Sequence, residues 1–549
     1  MNVALTFSGG GFRAASFSLG VVSYLAKLKS GRDSFLDYVT VLSTVSGGTI
    51  TGAAYALGIK KGKNIKEIYD SLYSFMTKTD LVSLALDRLI SDKGWDADRA
   101  KSLINAIADI YDAYLFENEK FGTLLSDDPP VHLKHISFNA TEFAYALQFR
   151  FQCSEEIINP QQGEPSRGII GNYYFNIPQD VARYIRMADI LAASSCFPGG
   201  FEPINFPNDF ILPPHESIQE FKMQDRFPVG LMDGGIVDNQ GIEPVLLAEM
   251  RIRRNRANIT GANGDDKALD LIIVCDVASP YMENYEANKK KEYAFWRRLT
   301  PGLIFTVNSL ILLISIFFIS FSFGRNLKIP LLVSTIIFTV SVICFLGANL
   351  LKSVPRRLHV PSAFLKPIGK LLKLRLGVYE NMLANRLNSM LKMTNDVFLK
   401  HIRRLNYKAI FNDPSWKNRR IMNAIYELKE DEPRIQDKIN SGVLPQALFP
   451  SLSLQKVATK ASGLGTTLWF TKEELERNQD NPYCLLDSVI ACGQFTICWN
   501  LLEYIEKVKK DNTNTGPGID RILACEQQLM EDWQKFNEDP YWFTAHYYN

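Results

Sequence analysis

The stretch that decides the fold is Leu42–Thr49, with the sequence LSTVSGGT. A run of β-forming residues ends at Ser46, and an alanine-rich helical pattern follows directly after Gly47 and Gly48. This pattern predicts a strand, a sharp turn and a helix, with the serine on the turn. One interpretation is a plain tight turn. The other is a catalytic nucleophile whose hydroxyl is exposed at the edge of a sheet.

The composition is that of a folded protein with a large core. Of 549 residues, 46% are hydrophobic and 22% are charged, and the net charge of +2 gives no reason to expect nucleic-acid binding. The eight cysteines form no CxxC pair and the six histidines do not cluster beside them. We therefore predict reduced thiols in the cytosol, no metal and no cofactor. The first residues read as a strand, and we expect no signal peptide.

Two long apolar segments predict a transmembrane hairpin. Residues 303–323 and 329–351 contain no charged side chain. Each is long enough, at about 1.5 Å per residue, to cross about 30 Å of hydrocarbon. A pair of buried core helices is the alternative. Lysine and arginine cluster in residues 289–298 and 352–375, outside the hairpin, so the catalytic part and both termini are predicted on the cytoplasmic side.

The basic segment Phe364–Leu376 has two interpretations. Its sequence, FLKPIGKLLKLRL, is that of an amphipathic segment lying on an anionic leaflet, or of an ordinary solvated helix face. Directly after it, residues 376–405 carry an apolar helical stripe. Such a stripe packs on the core of its own chain, or it binds a regulatory partner or a second copy that restrains the enzyme.

Strand and helix patterns alternate in the first half of the chain. This alternation predicts an α/β fold with a largely parallel sheet. The predicted strands are residues 2–7, 38–43, 135–141, 147–153, 173–176, 229–232 and 269–276. Residues 64–125 are predicted to be a helical insertion, either a lid or an enlarged helical layer. After the hairpin, residues 421–428 are a candidate strand and residues 429–438 read as a loop.

A glycine-rich stretch, SGGGFR (Ser8–Arg13), follows the first predicted strand and opens a helix. Three glycines allow consecutive backbone N–H groups to converge near a helix N-terminus, which suits a phosphate or an oxyanion. Neither GxGxxG nor GxxxxGK[ST] is present, so a nucleotide-binding interpretation is poor.

Two further segments lie later in the chain. In LMDGGIVDNQG (Leu231–Gly241), Asp233 ends an apolar strand and can project from the same sheet edge as Ser46, where it would accept the serine proton directly. A simple Asp-Gly-Gly turn is the alternative. AASSCFPGGFEP (Ala192–Pro203) suggests no catalytic role and is interpreted as a loop that packs beneath the site.

Together these segments resemble the patatin-like phospholipase family, which is related to the cytosolic phospholipases of the A class. That family has a GGGxR/K oxyanion loop, a serine elbow, an ASSAxPxxFxP segment and a late DG[GA] aspartate, in the order found here. FNATEF (Phe138–Phe143) resembles the strand before the third segment. The resemblance covers roughly residues 1–280, and a weaker one, to the closing segment of larger bacterial members, covers Gly463–Gly493. The elbow departs from GxSxG at Thr44.

The resemblance implies a patatin-like three-layer α/β fold with a central, mostly parallel sheet, here interrupted by the two-helix transmembrane hairpin. It implies Ser46 as nucleophile and Asp233 as general base. Gly9, Gly10 and Gly11 would form the oxyanion hole, the first by shaping the loop. Arg13 would orient the loop, attract a lipid phosphate or form a structural salt bridge. No metal is implied.

The predicted function is that of a membrane-anchored serine acyl hydrolase of the phospholipase A type. A tether keeps the site near bilayer lipid at high effective concentration, which favours membrane phospholipid as substrate. The alternatives are an esterase, thioesterase or acyltransferase on another acyl donor, and an inactive membrane scaffold. The predicted domains are a catalytic part (1–285), a membrane insertion (286–375), a helical and closing part (376–510) and a tail (511–549).

Overall fold

The structure is a computed structural model that describes most of the chain. Residues 92, 97, 156, 159–164, 167, 225–227, 261–266, 279–294, 358–372, 479–481, 512–516 and 548–549 are outside the described part. Most of the predicted basic segment, Phe364–Leu376, and the lysines at 289–291 therefore lie outside the described residues. The chain divides into two compact units, which are unit 1 (Met1–Met282 with Val397–Asn549) and unit 2 (Glu283–Asp396).

Unit 1 is built on an eight-stranded sheet in the order β12-β11-β1-β4-β5-β10-β9, with β6 paired to β5. The strands from β12 to β5 are parallel, and β6, β9 and β10 are antiparallel to their neighbours. The predicted α/β fold with a mostly parallel sheet is confirmed. The strands of the chain are β1 Val3–Phe7, β2 Lys29–Ser30, β3 Asp33–Ser34, β4 Val39–Val45, β5 His135–Glu142, β6 Leu147–Ser154, β7 Ile157–Ile158, β8 Pro165–Ser166, β9 Ile204–Phe206, β10 Val229–Asp233, β11 Leu271–Asp276 and β12 Arg420–Ala424.

Helices cover both faces of this sheet, which makes unit 1 three-layered. Alternate side chains of β1 enter two different cores: Leu5 packs in the larger cluster, and Ala4 packs with Val245 in the second. The helices of unit 1 are α1 Gly11–Lys27, α2 Gly47–Lys60, α3 Ile65–Lys78, α4 Leu81–Ile90, α5 Leu103–Tyr111, α6 Gly122–Leu125, α7 Gln179–Ala182, α8 Met187–Ser195, α9 Glu216–Lys222, α10 Gly235–Asp238 and α11 Ile242–Thr260, then, after unit 2, α16 Leu399–Phe411, α17 Pro433–Asn440, α18 Leu452–Ser462, α19 Lys472–Leu475, α20 Leu485–Lys510, α21 Pro517–Leu523, α22 Glu526–Glu538 and α23 Trp542–His546.

The α-helices in the described residues of unit 2 are α12 Phe295–Arg298, α13 Pro301–Gly324, α14 Lys328–Arg357 and α15 Leu376–Lys392. The two longest pack side by side, and the Asn308 Nδ2 donates to the Ser341 carbonyl at 3.2 Å. The start of α15 joins the segment before α13, since Arg297 pairs with Glu380 at 2.7 Å. The part of the predicted apolar stripe that lies on α15 is exposed, with Leu383 at 61%. What this stripe packs against stays a prediction.

Three helices in the described part of the chain are long and apolar enough to cross a membrane. They are Pro301–Gly324, Lys328–Leu346 and Leu485–Lys510. The first two expose nearly all of their apolar side chains, whereas the third is buried inside unit 1 over 94% of its apolar window. The predicted hairpin consists of the two exposed helices, and its crossing of a bilayer stays a prediction.

Two local predictions are wrong. Residues 173–176 form only isolated bridges, because the Asn172 Oδ1 accepts the N–H groups of Tyr174 and Phe175 and closes a turn. The predicted loop at 429–438 contains α17, because Pro433 starts a helix that buries Ile435. The candidate strand at 421–428 ends early, at Ala424.

The helical insertion at 64–125 is an enlarged layer of the core. Helix α3 buries Leu72 and Phe75, and α5 buries Ile104 and Ile107. These side chains belong to the same apolar cluster as the sheet. The insertion is therefore part of the folded core, and the lid alternative has no support in its packing.

Candidate active site

Ser46 occupies a strained turn between β4 and α2. Its backbone has φ 51° and ψ −123°, a conformation that is rare for a residue with a side chain. The next residue must be glycine, because a Cβ on Gly47 would lie 2.1 Å from the Gly11 carbonyl oxygen. The turn thus places Ser46 directly against the glycine loop, Ser8–Gly11.

Thr44 stands where the elbow pattern has a first glycine, and the helix compensates for it. A Cβ on Gly52 would lie 2.3 Å from the Thr44 Cγ2, so the missing side chain on α2 makes room for the threonine methyl. The Thr44 hydroxyl donates to the Thr49 Oγ1 at 3.0 Å. Close packing of strand on helix is therefore kept, with the glycine on the opposite element.

Asp233, the last residue of β10, contacts the serine. The Gly235 N–H donates to its Oδ1 at 2.7 Å, and the Ser46 hydroxyl lies near the carboxylate. Burial raises the pKa of Asp233 to about 6, and the interactions with Ser46 and Gly235 oppose the increase. The carboxylate is then a stronger base than a solvated aspartate, yet it is still ionised at neutral pH.

The glycine loop presents two open amides beside Ser46. Among the described residues, none accepts a hydrogen bond from the N–H of Gly10 or Gly11, which stand at the start of the long helix α1. Their φ angles, 145° and 59°, are accessible to glycine and strained for other residues. The Gly9 N–H, in contrast, donates to the Asn239 carbonyl at 3.1 Å. Gly9 therefore shapes the loop and is not a free donor.

Arg13 anchors the same region to the end of α18 and the loop that follows it. Its guanidinium donates to the carbonyl oxygens of Leu464 and Ser462. Burial lowers the pKa of Arg13 to about 10, and the charge of Asp276 partly offsets this. These contacts correspond to the loop-orienting alternative, and attraction of a lipid phosphate stays a prediction.

The segment predicted as a loop beneath the site, Ala192–Pro203, begins with the last turn of α8 and continues as a loop from Cys196. It contacts both catalytic candidates. The Ser46 N–H donates to the Ser194 Oγ at 3.0 Å, and that hydroxyl donates to the Asn139 carbonyl at 2.8 Å. The Asp233 N–H donates to the Cys196 carbonyl at 2.9 Å. Sequence reasoning missed these roles, although the AASSC and FNATEF segments marked the residues.

No cluster of three or more histidine, cysteine, aspartate or glutamate side chains in the described residues could hold a metal ion. The groups that the structure brings together around Ser46 are the serine, a buried carboxylate and two amides. This set can supply a nucleophile, a proton acceptor and donors for a developing negative charge.

The comparison with known families agrees with this arrangement. Residues 5–246 match the family model described as patatin-like phospholipase. The chain therefore contains a patatin-like phospholipase domain, and the predicted family and fold are confirmed. A patatin-like phospholipase domain implies a lipid acyl hydrolase.

The comparison with individual proteins adds little. A solved structure of human GIVD cytosolic phospholipase A2 is similar over 51% of this chain, with 14% sequence identity and a TM-score of 0.30. The similarity covers 46% of that chain, so less than half of its length is represented here. No curated protein sequence matches.

Proposed function

We propose that this protein is a membrane-anchored serine acyl hydrolase of the phospholipase A type, which cleaves fatty-acyl esters of membrane glycerophospholipids. The observation that carries the proposal is the placement of the Ser46 hydroxyl beside the buried Asp233 carboxylate, where it favours the charged form of that carboxylate. The open amides of Gly10 and Gly11 beside this pair support it. A structural turn needs neither a strained serine nor a desolvated carboxylate next to it.

The acylation step uses all four groups. Asp233 accepts the Ser46 proton while the Oγ attacks the ester carbonyl carbon, and the carbonyl oxygen becomes an oxyanion. The Gly10 and Gly11 amides donate to this oxyanion, and each such donor is worth about 3 kcal/mol. The C–O bond to the lysophospholipid then breaks, and the leaving oxygen takes the proton from Asp233. The fatty acid remains as an ester on Ser46.

Deacylation repeats this chemistry with water. Asp233 accepts a proton from a water molecule, whose oxygen attacks the acyl carbonyl. The same two amides hold the second oxyanion. When the intermediate collapses, the Ser46 oxygen leaves and takes the proton back. The products are a free fatty acid and the original enzyme, and no histidine, metal or cofactor is needed.

The hairpin helices α13 and α14 give the proposal its membrane component. Their exposed leucine, isoleucine and phenylalanine side chains are costly in water and favourable in hydrocarbon. With the basic flanking sequence, they support a topology in which unit 1 and both termini are cytoplasmic. The hairpin interrupts one catalytic unit in this proposal, because Thr467, far beyond it in the chain, accepts the Phe12 N–H at 2.8 Å.

The test is fatty-acid release from phospholipid vesicles that carry the reconstituted full chain, with a calcium chelator present. The wild type is expected to release fatty acid. Ser46→Ala and Asp233→Ala should each lose at least about 10³-fold in rate. Ser453→Ala and Asp437→Ala, which remove an exposed serine and an exposed aspartate elsewhere, are the matched controls and should remain active.

Two other outcomes separate the alternatives. If vesicles release nothing while a fluorophosphonate still labels Ser46, the nucleophile is competent and the acyl donor is another ester, a thioester or a transfer substrate. If Ser46 is not labelled, the chain is an inactive membrane scaffold. Release that persists in Ser46→Ala would contradict the proposed nucleophile.

A further inference from the structure

Helix α16 is the first helix of unit 1 after the chain returns from unit 2, and it lies outside the region that matches the family model. Two of its side chains, Arg403 and Asn406, are three residues apart and so project from one face of the helix. Both reach loops that end in the proposed active site. The contacts of Arg403 with Asp276 and of Asn406 with Val237 both lie within unit 1.

Arg403 forms a buried ion pair. Its Nε lies 2.6 Å from the Oδ2 of Asp276, and the two side chains are 9% and 0% exposed. The same carboxylate accepts the Gln240 Nε2 at 2.7 Å and the Ala278 N–H at 2.9 Å. Asp276 therefore joins three segments, which are α16, the end of β11 and the aspartate loop, Asp233–Gly241.

The residues on either side of Asp276 hold the glycine loop. The Ser8 N–H donates to the Cys275 carbonyl at 3.0 Å, and the Val277 N–H donates to the Ser8 Oγ at 3.1 Å. A Cβ on Gly10 would lie 2.5 Å from the Val277 Cγ2. The turn at Asp276 is thus in contact with the loop whose amides would bind the oxyanion.

Asn406 braces the aspartate loop from the same helix. Its Nδ2 donates to the Val237 carbonyl at 2.9 Å, and its side chain lies near Asp238 and favours the charged form of that carboxylate. The next residue, Asn239, accepts the Gly9 N–H through its carbonyl. The aspartate loop and the glycine loop are therefore tied to each other, and α16 contacts the supports of both.

We propose that Arg403 and Asn406 are positioning residues, through which α16 sets the relative placement of the glycine loop and the aspartate loop. Part of the catalytic apparatus is then supplied by the chain that follows unit 2. This inference rests on the proposed function. Neither residue touches substrate. Arg403 acts through Asp276, and Asn406 acts through the short helix that follows Asp233.

The physical reason lies in the buried charge. Without Arg403, the Asp276 carboxylate stays desolvated and loses its only cationic partner recorded at ion-pair distance among the described residues. It must then move or draw in water, and in both cases its bonds to Gln240 and to the Ala278 N–H weaken. A shift of well under 1 Å in either loop separates the oxyanion donors from the serine and lowers the rate of acylation.

The experiment compares full-length variants in detergent, with a soluble short-chain ester and with a fluorophosphonate. Arg403→Met is expected to lower kcat and the rate of Ser46 labelling by at least tenfold, with little change in KM. Arg403→Lys, which keeps the charge, should recover most of the rate. Arg404→Met makes the same change at the exposed neighbouring position and should match the wild type. Asn406→Ala should lower kcat by a smaller factor.

Thermal melting, monitored by tryptophan fluorescence, distinguishes a loss of kcat in the folded enzyme from a loss caused by unfolding. The proposal expects Arg403→Met to lose kcat at temperatures where it is fully folded. If the folded variant labels Ser46 and turns over at the wild-type rate, the inference is overturned while the proposed function stands. Equal losses in Arg403→Lys and Arg403→Met would also overturn it. If the wild type itself is not labelled at Ser46, the proposed function fails and this inference fails with it.

Discussion

Helix α20 and the hairpin helices α13 and α14 are all long and apolar enough to cross a membrane, yet their surroundings are opposite. Within unit 1, 94% of the apolar window of α20 is buried, compared with 6% for α13 and 11% for α14. Mean hydropathy shows only that a helix is apolar enough to be removed from water. The side chains around it decide whether it enters a protein core or a bilayer.

Helix α20 has partners on every side. A Cβ on Gly493 would lie 2.2 Å from the Phe17 carbonyl of α1, so the two helices are in backbone contact. Its buried polar side chains also find partners: the Gln494 Nε2 donates to the Ser23 Oγ at 3.1 Å, and the Asn500 Nδ2 donates to the Glu427 Oε2 at 3.0 Å. Such matched polar groups are what allow a helix to be buried in a protein.

The hairpin satisfies its polar groups differently. The hydroxyls of Ser309, Ser315 and Thr335 each donate to a carbonyl one turn earlier on their own helix. These three hydroxyls therefore need no hydrogen-bond partner outside their own helix, which is the condition that a hydrocarbon environment imposes. The comparison therefore predicts different responses to matched substitutions in the two regions.

The largest difference is expected for leucine in place of glycine. Gly493→Leu forces a side chain into the backbone of α1 and should lower the free energy of unfolding of unit 1 by more than about 4 kcal/mol. Gly324→Leu, at the end of α13, meets nothing within 4 Å and should leave unit 1 unchanged. Urea unfolding followed by the buried Trp499 and Trp533 measures both. Equal stability of the two variants would refute the close packing of α20.

A charge in the middle of α13 tests the bilayer directly. Leu313 is 64% exposed, and Leu313→Lys should raise the free energy of membrane insertion by about 3 kcal/mol. The expected result is a loss of protein from the membrane fraction that resists alkaline extraction, with Leu313→Ile as the control that keeps it. A lysine variant that is retained as well as the wild type would show that α13 does not cross.

Protonation of Asp233 changes the stability of unit 1, whereas the apolar segments of the hairpin have no charged side chain that could titrate. An unfolded Asp233 carboxyl ionises near 3.8 and the folded one near 6, so ionisation costs the folded state up to about 3 kcal/mol above pH 6. The contribution of Asp233 to the stability of the wild type is therefore lost as pH rises from 4 through 6. Asp233→Asn should unfold like the wild type at pH 4 and become relatively more stable, by about 1–3 kcal/mol, at pH 7. A stability difference that does not depend on pH would contradict the raised pKa of Asp233.

The smallest effect is expected for single polar groups. Gln494→Leu breaks the bond to Ser23 and the bond from the Thr544 hydroxyl, and should cost unit 1 about 1–3 kcal/mol. Asn308→Leu removes one interhelical bond in the hairpin and should cost less than about 1 kcal/mol. The two unfolding free energies, measured in the same detergent, give the comparison. A larger cost at Asn308 would reverse our assignment of the two environments.

The sequence predicted what depends on neighbouring residues. The strand, turn and helix around Ser46 follow from a run of β-formers, two glycines and an alanine-rich pattern, all within one short stretch. Asp233 at a strand end and the three glycines at the start of α1 were likewise predicted from short stretches of sequence. The family motifs added the order in which these pieces occur.

Contacts between distant residues were beyond such reasoning. Nothing near Thr44 indicates that Gly52 makes room for its methyl group, and nothing near Ser46 indicates that Ser194 accepts its N–H. The burial of α20 depends on α1, which lies more than 450 residues earlier in the chain. The turn at residues 173–176 was missed because one side chain, that of Asn172, outcompeted a strand pattern.

The central claim is that Ser46 carries the acyl group during hydrolysis. Its most direct test is acid quenching of the reconstituted enzyme during turnover of phospholipid vesicles, followed by mass spectrometry of the peptide that contains Ser46. The account predicts a fatty-acyl mass on Ser46 that disappears when substrate is exhausted and is absent in Asp233→Ala. Release of fatty acid with Ser46 unmodified at every time point, and undiminished in Ser46→Ala, would contradict it.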